Sequence, residues 1–164
     1  MKTIKSTLLL LLAGWTLTGC GIYSFSGSTL PSHIKTVGVP LFVDQTSEFG
    51  IDRQITDGLI TAITQDNTLK IAAPRQADAL LQGTILRVTD TADNYNQAET
   101  ASDFRITIEV KIVFEDVKKR QTLWEERWSQ WGRYDNQETT REDGIAQAVE
   151  KLAAEVLNRT VSGW

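Results

Sequence analysis

The clearest regularity in the chain is FRITIEVKIVF, residues 104–114. Phe104, Ile106, Ile108, Val110, Ile112 and Phe114 take every even position, and Arg105, Thr107, Glu109 and Lys111 take the odd ones. Alternation of this length predicts a strand with one buried and one wet face. Before it, IKTVGVPLF (34–42) is rich in β-branched residues and reads as a strand, with Pro40 suited to an edge or a strand end. Residues 48–66 read as a helix, because Ile51, Ile55, Leu59, Ala62 and Ile63 fall on one face. A short strand at LKIAA, a turn at Pro74 and a strand at ALLQGTILRV (79–88) follow, Gly83 being the expected bulge. EDVKKRQ then makes a hairpin connection into LWEERWSQWGRY.

That last segment has two readings. Trp124, Trp128 and Trp131 recur at i, i+4 and i+7, which fits a helix face. A strand instead puts Trp124, Trp128 and Tyr134 on one side and Trp131 on the other. Tryptophan and tyrosine favour strands and a hairpin partner precedes the segment, so the strand is preferred. Its rings are expected to cap one end of the sheet, with an aromatic ligand platform as the alternative. At the C-terminus, Thr139 and Glu142 have capping-box spacing. Ile145, Ala148, Val149, Leu152, Val156 and Leu157 form an apolar helical stripe, and Glu155 and Arg159 stand at i, i+4 on the outside. The element order predicts an α+β fold, with two helices packed on one face of a mostly antiparallel four- to five-stranded sheet.

The N-terminus follows a different logic. Lys2 and Lys5 precede an apolar run from Leu8 to about Leu17, too short for a bilayer span of about 20 residues. A basic start, a short hydrophobic run and small residues make residues 1–19 a secretory signal peptide. Leu17-Thr18-Gly19-Cys20 resembles the bacterial lipobox, and Cys20 is the only cysteine in the chain. An exported protein normally pairs its cysteines as disulfides, so a lone one has another use. The resemblance implies cleavage before Cys20, a diacylglycerol on its sulfur and an N-acyl chain on the new terminus. Two or three acyl chains hold a protein almost permanently, so the mature chain is expected to be anchored to a membrane, not to span one. Gly21 stands where an inner-membrane retention signal would sit, which points to the outer membrane. Residues 20–33 are then a lipidated N-terminus and tether, and 34–164 a single domain.

Composition narrows the partners. The chain holds 17 Lys and Arg against 21 Asp and Glu, a formal net charge of −4, and loss of Lys2 and Lys5 makes it more negative by two. That balance argues against nucleic acid. Catalysis needs a positioned nucleophile, acid–base pair or metal. His33 is the sole histidine, no acid or cysteine is spaced to build a metal site with it, and no phosphate loop or Gly-x-Ser-x-Gly turn occurs. No cofactor is expected beyond the lipid on Cys20, and no enzyme. Two features stand out. TDTADNYNQAETASD (89–103) reads as a long polar loop with Asp90, Asp93, Glu99 and Asp103; its spacing does not match an EF-hand. Lys118, Lys119 and Arg120 lie at a hairpin tip, with Arg105 and Lys111 on the wet face of the preceding strand. Together they are candidates for phosphates or an acidic partner.

The start Cys20-Gly21-Ile22-Tyr23-Ser24-Phe25, then Leu30-Pro31 leading into Ile34–Phe42, and the order of elements to the terminal amphipathic helix resemble the lipopolysaccharide-assembly outer-membrane lipoprotein family (LptE-like). The resemblance covers most of residues 20–160. It implies a lipid-anchored protein of the cell outer membrane, periplasm-facing or within a barrel lumen. It further implies an accessory subunit of a large β-barrel partner (LptD-like) that delivers lipopolysaccharide to the outer leaflet. The family touches lipopolysaccharide through basic residues, for which Arg105, Lys111, Lys118, Lys119 and Arg120 are the candidates here. With a net negative domain, partner binding is expected to dominate over lipid contact. Similar α+β lipoproteins serve other secretion or curli-type pores, which is the alternative.

Overall fold

The computed structural model describes residues 30–95, 101–135 and 137–162. The signal peptide, Cys20 and the tether up to residue 29, together with Glu99, lie outside the described residues. The elements are β1 (Thr36–Gly38), β2 (Val43–Asp44), α1 (Ile51–Asp66), β3 (Lys70–Ile71), β4 (Ala79–Tyr95), β5 (Ala101–Asp116), β6 (Gln121–Tyr134) and α2 (Arg141–Ser162). They give the expected α+β architecture of two helices on a sheet. The three long strands β4, β5 and β6 form an antiparallel meander. The short strands add parallel pairs: β1 lies between β3 and β4, and β2 pairs β4 further along. The six-stranded sheet is therefore mixed, and β1, α1 and β3 form a βαβ unit whose crossover is the helix.

Local chemistry explains the boundaries. Pro40 has no N–H to give a ladder, so the strand expected over 34–42 splits: β1 ends at Gly38 and pairing resumes at Val43. Between them Phe42 turns into the core and Leu41 faces out. Helix α1 starts at Ile51 because Gly50 takes a left-handed φ of 78° that most side chains resist. Ile51, Ile55, Leu59 and Ile63 are its buried stripe. Gly83 is no bulge; the register shifts of β4 fall between Ile85 and Arg87 and again beyond Ala92. Gly83 is small because Phe42 occupies its place: a Cβ there would lie 1.9 Å from Phe42 Cε2.

The acidic segment 89–103 is mostly not a loop. Strand β4 continues to Tyr95 and β5 begins at Ala101, so Asp90, Asp93 and Asp103 belong to a paired ribbon. Thr89 and Thr91 favour the pairing where the acids alone argue for a loop. In β5 every even residue from Ile106 to Phe114 is fully buried, and each such side chain contributes about 1.5–3 kcal/mol. The 124–134 segment is a strand, with Trp124 and Tyr134 buried and Trp131 on the opposite face. Helix α2 crosses this sheet closely: Gly132 leaves room for the Gly144 carbonyl, which a Cβ would meet at 1.9 Å. Its capping box is one residue later than expected. Thr140 Oγ1 accepts the Asp143 N–H at 3.2 Å and Asp143 Oδ2 accepts the Thr140 N–H at 2.8 Å, while Thr139 is used in the preceding turn by Asp135. Arg159 does not rely on Glu155; its Nε donates to Glu126 of β6 at 2.7 Å.

Candidate functional site

On the face of the sheet away from the helices, Arg105 and Arg133 stand opposite each other in the β5–β6 register. Like charges directly opposite repel, and Asp93 resolves this by lying between them, 2.7 Å from Arg105 Nη2 and 2.8 Å from Arg133 Nε. Trp131 completes the group. Its ring centroid is 4.4 Å from the Arg105 guanidinium carbon, 5.3 Å from that of Arg133 and 4.0 Å from Lys151 Nζ. Lys151 reaches from α2 around the edge strand and also donates to the Trp131 carbonyl at 2.9 Å. The three cations are each attracted by the quadrupole of one indole, and one carboxylate, Asp93, compensates them in part.

The five sequence-picked cations are not brought together. Arg105 belongs to the Trp131 cluster. Lys111, six residues and roughly 20 Å along the strand, pairs with Glu125 at 2.7 Å. Lys118, Lys119 and Arg120 form the β5–β6 turn, where Arg120 takes a φ of 52°. Beneath the turn lie two carboxylates. Lys118 Nζ donates to Asp78 Oδ1 at 2.6 Å, and the other oxygen of Asp78 accepts the Lys35 and Thr36 N–H groups at 2.9 and 3.0 Å. The Lys118 bond first, then the Lys35 N–H, hold Asp78 far below the usual carboxylate range against the opposing effect of burial. Asp116 is fully buried and takes the Lys119 N–H at 3.0 Å and His33 Nε2 at 2.6 Å. Burial pushes its carboxyl up, but these bonds outweigh it and leave it below its ordinary value. His33 thus ties the chain entry to the hairpin.

At the opposite end, Arg141 makes a bidentate bond to Glu48 at 2.7 and 2.8 Å and reaches Asp90 at 2.9 Å. The Glu48 bonds first, then Asp90, hold its guanidinium firmly charged. Tyr134 also donates to Asp90, at 2.8 Å. This network fastens the start of α2 to β4 and to the segment before α1. Sequence reasoning missed Arg141, Arg133, Lys151 and Asp93 as partners, since each pairing is long-range. Trp131 was recoverable, because its strand parity differs from that of Trp124, Trp128 and Tyr134. Between the helices runs an open groove of about 860 Å³ with Gly58, Ala62, Ala146 and Ala153 along it and Asp57 and Glu150 at its rim. No cluster of metal-ligating side chains occurs among the described residues.

Known proteins share this architecture. A Xanthomonas campestris protein matches with a TM-score of 0.60 at 12% identity, over 80% of this chain and 86% of its own. The PelC dodecamer of Paraburkholderia phytofirmans matches at 0.57 and 13% identity, over 77% and 89%. Lipoprotein B of Nitrosomonas europaea matches at 0.52 and 13% identity, over 79% and 84%. At such identities the likeness concerns the fold. No curated protein matches by sequence. The family model LptE, lipopolysaccharide-assembly, matches residues 34–160, nearly the whole described domain, and the chain belongs to that family.

Proposed function

We propose that this is a non-enzymatic outer-membrane lipoprotein, held by the diacylglycerol and N-acyl chain on Cys20. It acts as accessory subunit of a β-barrel translocon that places lipopolysaccharide in the outer leaflet. The family match over residues 34–160 is the observation that carries this reading. The surface chemistry supports binding to a protein more than capture of free anions. Arg105, Lys111 and Lys118 each already hold a carboxylate at 2.6–2.7 Å, and the exposed Lys111–Glu125 pair is of the kind that gives less than about 1 kcal/mol. A barrel lumen, by contrast, offers a standard interface of about 1,600 Å². Trp131 with Arg105 and Arg133 supplies the Trp and Arg side chains that dominate such interfaces. Depletion of the protein in its native cell tests the reading: surface-labelled lipopolysaccharide should fall and the barrel should fail to assemble, whereas unchanged surface labelling would refute it.

The likeness to PelC, a dodecamer, supports a second reading, an accessory lipoprotein of another secretion or curli-type pore. Under that reading the native protein forms a ring of its own copies, and its mass in mild detergent distinguishes the two.

A further inference from the structure

Where the chain enters the domain, the outward surface is cationic; of the nearby acids Asp78 and Asp116 are turned to structural use, while Glu115 lies half-buried on β5 beside Thr122. Lys35, Lys70, Lys118, Lys119 and Arg120 are all exposed. Backbone contacts hold them in one patch. The Lys70 N–H donates to the Lys35 carbonyl at 3.0 Å, and the Lys35 N–H shares Asp78 with the Lys118 ammonium. Asp116, under Lys119, is fully buried, and only 14% of the Asp78 side chain is exposed. Asp66, at the end of α1, also lies near this end, with one oxygen accepting the Thr68 N–H at 3.1 Å.

Many of the chain's other acids lie far from this end. Asp90, Asp93, Asp135, Glu138, Glu142 and Asp143 lie around the far ends of β4 and β6 and the start of α2. The 17 residues of β4 separate the two ends by roughly 50 Å. At physiological ionic strength the Debye length is about 8 Å, so the distant acids do not cancel the field of the basic end.

The position of this end relative to the anchor is bounded by chain length. Leu30 packs against the core and the Pro31 carbonyl accepts the Ile34 N–H at 2.9 Å, so the chain is fixed to the domain from there onward. His33 is bonded to the hairpin that carries Lys118, Lys119 and Arg120. The ten steps from Cys20 to Leu30 reach at most about 35 Å, less than the length of β4. The basic end therefore lies within reach of the leaflet that holds the anchor. We propose that this end is a docking surface for anionic phospholipid headgroups, with Lys35, Lys70, Lys119 and Arg120 as the contacting cations. It orients the domain on its own membrane. The proposal rests on the reading of Cys20 as the lipid anchor for which membrane it meets.

The test uses the mature chain carrying Cys20→Ser, so that no acyl chain contributes, and vesicles of phosphatidylcholine alone or mixed three to one with phosphatidylglycerol. Co-sedimentation should occur only with the phosphatidylglycerol vesicles and should disappear in high salt. The triple change Lys35→Gln, Lys119→Gln and Arg120→Asn leaves the Lys118–Asp78 pair intact and keeps a residue tolerant of the turn conformation. Each near-surface cation is worth about fivefold in partitioning, so the triple variant should bind roughly 100-fold more weakly. Arg127→Gln, an exposed change on the sheet face, should bind as the parent does. Equal binding to both vesicle types, or equal loss in Arg127→Gln, would overturn the proposal. So would a loss confined to lipopolysaccharide micelles, which would assign the patch to that ligand instead. Mass spectrometry of native Cys20 reports separately on the anchor, so failure of that reading is distinguishable.

Discussion

His33 Nε2 lies 2.6 Å from Asp116 Oδ2, joining the start of the domain to the end of β5 across 83 positions. The bond closes the whole α1 and β4 excursion, and His33 shares the buried carboxylate with the Lys119 and Lys118 N–H groups.

His33→Ala should therefore cost about 1–3 kcal/mol at neutral pH, since a buried acceptor loses its one side-chain partner. The folded-state pKa of Asp116 lies below its ordinary value. Its contribution is thus present above about pH 4 and is lost as pH falls through the lower folded-state value. Asp116→Asn should accordingly flatten the acid limb of the stability curve. Urea titrations across that range check this; parallel curves for parent and variant would contradict it.

Two glycines with similar clashes should respond differently to alanine. A Cβ on Gly83 meets the Phe42 ring, whereas one on Gly132 meets the backbone carbonyl of Gly144. A side chain can shift and a helix backbone cannot without lifting α2. Gly83→Ala should cost about 1–3 kcal/mol and be partly rescued by Phe42→Leu. Gly132→Ala should cost more and find no such rescue. Chemical denaturation of the four proteins measures it.

Strand parity in β5 gives a sharper contrast. Ile108 is fully buried and Glu109 points to the other face. Ile108→Asp should cost several kcal/mol by burying an unpaired charge, and Glu109→Lys should shift stability by less than about 0.5 kcal/mol. Similar thermal shifts for the two would refute the assignment of faces.

At the start of α2, Thr140 and not Thr139 is the cap. Thr140→Ala should cost about 1 kcal/mol, and Asp143→Ala should lose a comparable amount because the two residues bond reciprocally. Amide exchange should show the loss as faster opening of the first turn of α2.

Most of the fold was legible because its signals are local. Alternation in 104–114 and the stripe from Ile145 to Val156 each report a period that burial imposes directly. The parity of Trp131 against Trp124 likewise put it on the wet face. What escaped depends on distant partners. Segment 89–103 read as a loop because the countercharges of Asp90 and Asp93, namely Arg105, Arg133 and Arg141, come from other elements. Arg159 chose Glu126 over Glu155 for the same reason. The βαβ unit stayed hidden because β1, β2 and β3 have only two or three residues each, too few for periodicity to show. The five basic residues were found by charge, but their separation into three places and their pairing are properties of the register.

The central expectation is a barrel partner bound chiefly through protein contacts. The most direct measurement is mass spectrometry of the tagged full chain purified from outer membranes in mild detergent. It should find one large β-barrel protein in near-stoichiometric amount. That complex should persist in roughly 1 M salt, where the Debye length is about 3 Å, and in the Lys119→Gln, Arg120→Asn variant. Recovery of the chain without a barrel, or a complex that dissolves with either treatment, would contradict it.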